Sequence, residues 1–259
     1  MIENLRTALA GARFELRVLP RSPGDLMALV TAPVTTIVFL AITQHAGRHD
    51  LATYAVLGPA LMALWSMALM VCGEMIDAER AGGTFEALVA TPARPLPLLA
   101  GRIVVVVTVS LLSFAESWLV AALVFSIVVP VPHPGLFVAA LLATVLAMAG
   151  WASIMASVFV LARSARIFQN SLSFPFYVLG GVMLPVSQLP DWLRPVTRLV
   201  FLSWSSDLLR DSLNSVGVRY AVPRIGLVLG FAVVGLLIGR VLLNAVLNRS
   251  RTAGTLAYA

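Results

Sequence analysis

Long apolar segments constrain this sequence more than any other feature, and four of them contain no charged residue at all. A helix rises 1.5 Å per residue, so about 20 apolar residues cross the hydrocarbon core of a bilayer. Only 12% of the residues are charged, against about 25% in soluble domains. The sequence therefore predicts an all-α integral membrane protein that forms one transmembrane domain over residues 1–259. The six transmembrane helices are expected at residues 26–43, 51–73, 103–129, 135–161, 167–184 and 221–247.

Six spans place both termini on one side of the membrane, and the arginines indicate which side. Most arginines outside the spans fall on the side of the termini, whereas residues 185–220 carry most of the others. Positive residues favour the cytoplasmic side. We therefore expect a multi-pass protein of the plasma (inner) membrane with cytoplasmic termini, a cytoplasmic loop at 74–102 and an extracellular loop at 185–220.

Residues 1–22 alternate arginines with apolar side chains. Apolar residues at positions 2, 5, 9 and 16 share one helical face. This pattern is typical of a basic amphipathic helix that lies on the membrane surface. A disordered basic tail is the alternative.

All 18 basic residues are arginine. Without lysine, the chain cannot supply the lysine of a phosphate-binding loop. If the protein uses ATP, ATP and Mg²⁺ must be bound by a partner subunit, and we expect no cofactor or metal on this chain. The net charge of +6, with arginines at the segment ends, favours contact with membrane lipids rather than with nucleic acid. His45 and His49 have helical spacing, but a solvated loop explains them better than a metal site because no third ligand is nearby.

The loop at 74–102 is a polar interruption between two spans, with four acidic residues and three prolines. Thr84 can cap a short helix at 85–90, where Glu86 meets the positive end of the helix dipole. Pro92 disfavours helix just before it and so limits the helix to about two turns. Phe85 and Leu88 would form an apolar knob suited to a groove on a cytoplasmic partner. A loop packed on its own membrane domain is the alternative.

Two motifs resemble the membrane subunits of ABC exporters of the drug- and polysaccharide-export family, the type-2 ABC permeases. The first is Glu-Arg-x-x-Gly-Thr-x-Glu-x-Leu with a following Thr-Pro and Gly, carried by Glu79, Arg80, Gly83, Thr84, Glu86, Leu88, Thr91, Pro92 and Gly101. The second follows the fifth span and is carried by Gly180, Gly181, Pro185, Leu189, Pro190, Trp192 and Leu193; it continues in SWSSDLLR to Arg210.

The resemblance implies that the chain is a transport subunit without its own catalytic residue. In that family the loop after the second span holds a coupling helix, which contacts a nucleotide-binding ATPase subunit. It further implies pairing with a second, identical or homologous, permease. The residues implied in coupling to the ATPase are Glu79, Arg80, Gly83, Thr84, Phe85, Glu86, Leu88 and Pro92.

The long loop at 185–220 contains two amphipathic segments, at 191–202 and 206–213, the second with Ser206 as its cap. These segments could dip into the outer leaflet and close the exit between subunits; a surface hairpin without a gating role is the alternative. The predicted outer-gate residues are Pro185, Pro190, Trp192, Leu193, Trp204 and Arg210. The family often has Asn-Pro where this chain has Val200-Phe201, so the helix break expected there lacks its proline.

Glu116 and Arg240 are charged residues inside predicted spans. A charge within a membrane span raises a functional hypothesis by default, here substrate contact or proton relay. The alternative is a carboxyl group sealed between helices beside Ser113 and Ser117. Arg240 is a possible partner only if its long side chain bridges a difference in depth of about 8 Å, from the helical rise.

An ATP-driven exporter of lipophilic or amphipathic compounds, as in multidrug efflux, is therefore the leading functional prediction. An ion-coupled secondary transporter that uses Glu116, a permease for polysaccharide or glycolipid export, and a scaffold for envelope assembly are the alternatives. Trp65, Trp118 and Trp151 are interpreted as packing residues, with an aromatic substrate cavity as the competing hypothesis.

Overall fold

The computed structural model describes residues 2–22, 24, 26–81, 83, 95–159, 165–214 and 218–253. The described chain is helical and contains no strand. The α-helices are α1 (Ile2–Val18), α2 (Met27–His45), α3 (Ala52–Ala81), α4 (Pro95–Ser110), α5 (Leu112–Phe125), α6 (Pro134–Phe159), α7 (Ala165–Leu179), α8 (Arg194–Thr197), α9 (Phe201–Ser212) and α10 (Ala221–Ala253).

Helix α3 lies at the centre of the fold and packs against α2, α4, α5, α6, α7 and α9. Its apolar side chains, among them Leu57, Leu61, Leu64 and Trp65, are almost fully buried. Helices α2 and α10, at the periphery of the bundle, instead expose many large apolar side chains. Such exposure is expected for helices that face lipid, where apolar surface has nothing to gain by burial in protein.

Five described helical segments are long and apolar enough to cross a membrane: Met27–His45, Ala52–Leu69, Pro97–Phe125, Pro134–Val158 and Ala221–Ala245. They confirm the predicted all-α membrane fold. The sixth expected span, at 167–184, corresponds to α7, whose 15 residues amount to only about 22 Å of helix. The count of six spans stays a prediction.

Helix α7 ends earlier than expected because of the Gly180-Gly181 pair. Gly181 has φ +63°, the left-handed conformation that glycine adopts without strain. The amide of Val182 donates to the carbonyl of Tyr177 and that of Gly181 to Val178. These two bonds form a Schellman cap, which ends the helix at Leu179.

The third span is broken at Leu111, between α4 and α5. The hydroxyls of Ser110 and Ser113 donate to the backbone carbonyls of Val107 and Ser110, at 2.7 and 2.6 Å. Such bonds back to the preceding turn often bend helices. The span ends at Phe125 rather than at 129, because Ser126 adopts a left-handed conformation with φ +54°.

Helices α6 and α10 pack closely through glycines. A Cβ at Gly235 would lie 2.9 Å from the backbone of Gly150, and one at Gly150 would lie 2.7 Å from the carbonyl oxygen of Ala232. Small residues allow such close contact between membrane helices. The hydroxyl of Ser157 also donates to the carbonyl of Gly239 at 3.3 Å. Helices α6 and α10 therefore pack as a close pair.

Candidate functional site: the frame of the loop after α3 and helices α8 and α9

The loop predicted at 74–102 is shorter than expected, because α3 continues to Ala81 and α4 begins at Pro95. Glu79 and Arg80 therefore belong to the last turns of α3. Gly83 has φ +69°, so the backbone turns here in a conformation that favours glycine. The remaining predicted coupling residues, Thr84, Phe85, Glu86, Leu88 and Pro92, lie outside the described residues, as does the helix expected at 85–90.

Helix α1 is held directly against α4, at the base of this loop. Gly11 and Gly101 face the opposing backbones, and a Cβ at either position would overlap a carbonyl oxygen, that of Leu98 or of Ala8. Leu5, Leu9 and Leu16 are exposed on the other side of α1. The apolar face predicted from the sequence is therefore directed away from the protein, as expected for a helix lying in the membrane interface.

A buried ion pair joins the same two helices. Nε of Arg102 donates to Oε2 of Glu15 at 2.7 Å, and the two side chains are only 5% and 2% exposed. The Arg102 guanidinium also lies 5.0 Å from the ring centre of Phe14. Sequence reasoning missed this pair. The available signal was Glu15, an acidic residue four positions after Gly11 in a basic helix. Nothing in the sequence identified its partner.

At the other end of the helix bundle, α9 is attached to the end of α7. The hydroxyl of Ser206 donates to the carbonyl of Gly180 at 2.6 Å, and Nη2 of Arg210 donates to that of Val182 at 3.2 Å. The apolar side chains of Leu202, Leu208 and Leu209 are buried. Helix α9 is therefore part of the helix bundle and not a surface hairpin.

Arg210 is buried, with 4% of the residue exposed. Its guanidinium lies 3.9 Å from the ring centre of Tyr54, near the start of α3, a distance typical of a cation–π contact. Burial lowers the pKa of Arg210 to about 10, so the side chain remains charged at neutral pH. Burial also raises the pKa of nearby Asp207 above its ordinary value, although Arg198, Arg210 and Arg224 act in the opposite direction.

The outer helices differ in their bounds from the predicted segments 191–202 and 206–213. Helix α8 has only four residues, and α9 begins at Phe201, five residues before the predicted cap Ser206. Val200 is extended (φ −96°, ψ 118°) and separates the two helices. The break thus lies where the family often has proline. Phe201 and Leu202 are buried in the bundle, so the helix already begins at Phe201. The prediction from Ser206 as a cap did not include this burial.

The other predicted gate residues are distributed around these helices. Trp204 donates its indole N–H to the carbonyl of Arg198 at 2.9 Å, and the Arg198 guanidinium lies 4.8 Å from the Trp204 ring centre. Trp192 is 74% exposed, which fits an aromatic residue at the membrane–water boundary. Pro185 precedes the 3-10 turn Val186–Gln188. Pro190 accepts backbone hydrogen bonds from Leu193 and Arg194.

A cavity of about 370 Å³ lies next to this region, between α2, the start of α3 and the segment after α7. Phe39, Ile42, Met183 and Leu184 contribute to its walls, and Tyr54 also lines it. Tyr54 thus contacts both the cavity and Arg210.

The tryptophans are mostly packing residues. Trp65 is 1% exposed and stacks on Phe176 at 4.5 Å between ring centres. Trp151 stacks on Phe201 at 5.7 Å, so four rings connect α3, α6, α7 and α9. Trp118 packs separately, near Phe114 and Phe137.

Glu116 and Arg240 are not brought together. No ion pair joins them in the described chain, where Oε2 of Glu116 is buried without a hydrogen-bond partner. The hydroxyl of Ser113 donates to the carbonyls of Ala60 and Ser110, and that of Ser117 accepts from Thr36. Neither serine hydroxyl therefore bonds to the Glu116 carboxyl group in the described chain, and burial of this group between helices stays a prediction. Arg240 instead lines a cavity between α1, α4, α6 and α10.

Within the described residues, no group of three or more His, Cys, Asp or Glu side chains is placed to hold a metal ion. Comparison with curated proteins returned no match. The family profile described as ABC-2 type transporter matches residues 12–214. The match begins within α1 and ends just after α9, so it covers the contact of α1 with α4, the loop after α3, and helices α8 and α9. The chain therefore belongs to the ABC-2 type transporter family and is a multi-pass membrane permease of an ABC transporter.

Proposed function

We propose that the chain is the permease subunit of an ATP-driven exporter that moves a lipophilic or amphipathic compound, drug-like, antibiotic-like or lipid-like, out across the plasma membrane. A separate nucleotide-binding subunit binds and hydrolyses ATP with Mg²⁺. A second permease, identical or homologous, completes the pathway. Both termini are cytoplasmic in this proposal.

The observation that carries the proposal is that α3 is continuous from the neighbourhood of α9 to the loop after α3. Its 30 residues extend about 45 Å, from Ala52 near the outer helices to Ala81 at the cytoplasmic loop. Tyr54 at one end supports Arg210 of α9. A displacement of the loop by a partner subunit can therefore reach the outer helices through one helix, and such packed elements are the physical basis of coupling between distant sites.

The cavity beside Tyr54 supports the proposal that the substrate is amphipathic. Most of its lining is apolar, and it lies next to the segment that attaches α9. Ligand sites of this kind combine apolar walls with a few polar groups. A movement of α9 would change the shape of this cavity. Export of polysaccharide or glycolipid is the alternative, and the cavity by itself favours the smaller compound.

The coupling step is tested by the double substitution Phe85→Ala with Glu86→Arg. Removal of the apolar knob and reversal of the charge are expected to abolish complex formation with the ATPase subunit and substrate-stimulated ATP hydrolysis. Co-purification and ATPase activity in reconstituted vesicles measure both effects. Intact assembly and stimulated hydrolysis in this variant would refute the proposed role of the loop.

A matched control changes the same residue classes on the exposed face of α1, as Leu5→Ala with Glu3→Arg. Both side chains are exposed, so the variant is expected to assemble and hydrolyse ATP like the unmodified chain. Loss of function in this control alone would locate the ATPase contact on α1 rather than on the loop.

A further inference from the structure

We propose that the cavity between α1, α4, α6 and α10 binds one anionic phospholipid from the leaflet in which α1 lies, with its phosphate at Arg240 and Asn4. This site lies beside the contact of α1 with α4 and includes none of the residues of helices α8 and α9. It does not depend on what the protein exports, because it concerns only the lipid surrounding the domain.

The cavity has a volume of about 430 Å³ and mostly apolar walls. Ile103 and Val104 of α4 form one side, and Leu146 and Ala149 of α6 form another. These residues belong to candidate membrane spans, so the walls face hydrocarbon and can hold an acyl chain. An apolar chain gains contacts in such a groove that loosely packed lipid does not provide.

Among the described residues that line this cavity, Arg240 is the one that carries a charge. Its side chain is exposed, and in the part of the chain that the structure describes it has neither an ion pair nor a hydrogen bond. It lies nine residues before Arg249, about 13 Å along the helix, which is too deep for bulk water to solvate it without cost. Arginines at this depth direct the guanidinium toward the interface or pair with an anion.

Asn4 supplies a second polar group at the same cavity. It lies on the face of α1 that also carries Ala8, Gly11 and Glu15, which are directed at α4. Because α1 lies in the membrane interface, Asn4 is at the depth of lipid headgroups. The Asn4 amide and the Arg240 guanidinium can therefore both donate to phosphate oxygens.

The combination selects a phospholipid over other occupants. A cationic group at the headgroup end and apolar walls below it match a phosphate carrying acyl chains. Basic pockets between transmembrane helices bind anionic headgroups for the same reason. A free phosphate would use Arg240 but leave the apolar walls unfilled, and a neutral lipophile would leave the guanidinium unpaired.

Native mass spectrometry of the purified full-length chain tests the proposal, with phosphatidylglycerol and phosphatidylcholine of identical acyl chains as probes. We expect one phosphatidylglycerol to remain bound in preference to phosphatidylcholine. Arg240→Gln removes the charge-assisted hydrogen bonds and should weaken phosphatidylglycerol binding about tenfold. Arg240→Lys should retain the preference, and Ala149→Phe should displace both lipids by filling the cavity.

Arg219→Gln is the matched control, because it removes the same charge from an exposed position at the other end of α10. It should leave lipid binding unchanged. The proposal is overturned if Arg240→Gln binds phosphatidylglycerol like the unmodified chain, if both lipids bind equally, or if Arg219→Gln causes the same loss. Displacement of phosphatidylglycerol by inorganic phosphate would indicate a free-phosphate site instead.

Discussion

Glu15 and Arg102 are buried against each other at the junction of α1 and α4. Removal of two charges from water is expensive, and close pairing compensates for much of that cost. Loss of Arg102 leaves the Glu15 carboxylate buried without this cation. The pair therefore makes the attachment of α1 sensitive to a single substitution, since the large apolar residues of α1 are exposed and do not pack on the bundle.

Arg102→Met is expected to destabilise the protein by about 3–5 kcal/mol, since it leaves the buried Glu15 carboxylate without its cation. Glu15→Gln is expected to act in the same direction, because it removes the ion pair. The double variant Glu15→Met with Arg102→Met should recover most of this loss. The Tm in detergent measures the effect. Cleavage by trypsin at Arg6, Arg13 and Arg17 reports separately whether α1 detaches.

Glu3→Gln is the control for the loss of an acidic residue from α1, because Glu3 is exposed. If Glu15→Gln has the Tm and the trypsin resistance of this control, the ion pair does not hold α1 in place.

Glu116 distinguishes the proposed exporter from an ion-coupled transporter. In the described chain it has no charged partner, and the neighbouring serine hydroxyls bond elsewhere. We expect Glu116→Gln to retain assembly and ATP-dependent transport in reconstituted vesicles, because the substitution removes a charge without changing the shape. Two results together would favour the ion-coupled alternative. The unmodified chain would transport substrate along a proton gradient without ATP, and Glu116→Gln would lose this transport.

At the scale of elements, α9 shows how a polar, amphipathic segment becomes buried. Its sequence predicts an amphipathic helix, but only the fold shows that the carbonyls of Gly180 and Val182 accept bonds from Ser206 and Arg210. The Schellman cap of α7 presents these carbonyls to α9. The end of α7 and the position of α9 are therefore coupled.

Arg210→Met keeps most of the side-chain volume but removes the bond to Val182 and the cation–π contact with Tyr54. The expected loss is about 2 kcal/mol, seen as a lower Tm, together with substrate-independent ATP hydrolysis if α9 closes the exit. Arg219→Met, an exposed change in the same loop region, should have neither effect. Equal behaviour of the two variants would remove Arg210 from the outer gate.

At the scale of the whole molecule, the described helices form one bundle around α3, with α1 against α4 at one end and α9 against α7 at the other. The orientation of this bundle in the membrane follows from the arginine distribution alone and stays a prediction.

Cysteine labelling tests the orientation, since Cys72 is the only native cysteine. In a Cys72→Ser background, a membrane-impermeant maleimide applied to intact cells should label Arg219→Cys. Glu3→Cys should react only after permeabilisation, because we expect α1 on the cytoplasmic side. The background without an added cysteine should remain unlabelled. The reverse pattern would show that the termini face outward.

The sequence by itself determined the membrane class, five of the spans and the positions of both family motifs. The reason is that a bilayer requires each spanning segment to satisfy its own backbone hydrogen bonds within an apolar helix. That requirement acts locally along the chain, so runs of apolar residues reveal it. The apolar pattern does not show where the helices end. Ser126 and Gly181, for example, end their helices by adopting left-handed backbone conformations.

Only the tertiary structure decided which distant residues meet. Glu15 and Arg102 are 87 positions apart, and Arg210 contacts Tyr54 from a different helix. Glu116 and Arg240, the two charges considered as a pair within the predicted spans, form no ion pair in the described chain. Each outcome depends on which helix faces pack together, through contacts such as that of Gly11 in α1 with Leu98 in α4. Helical periodicity shows that a face exists, but the identity of the face opposite it is a property of the assembled bundle.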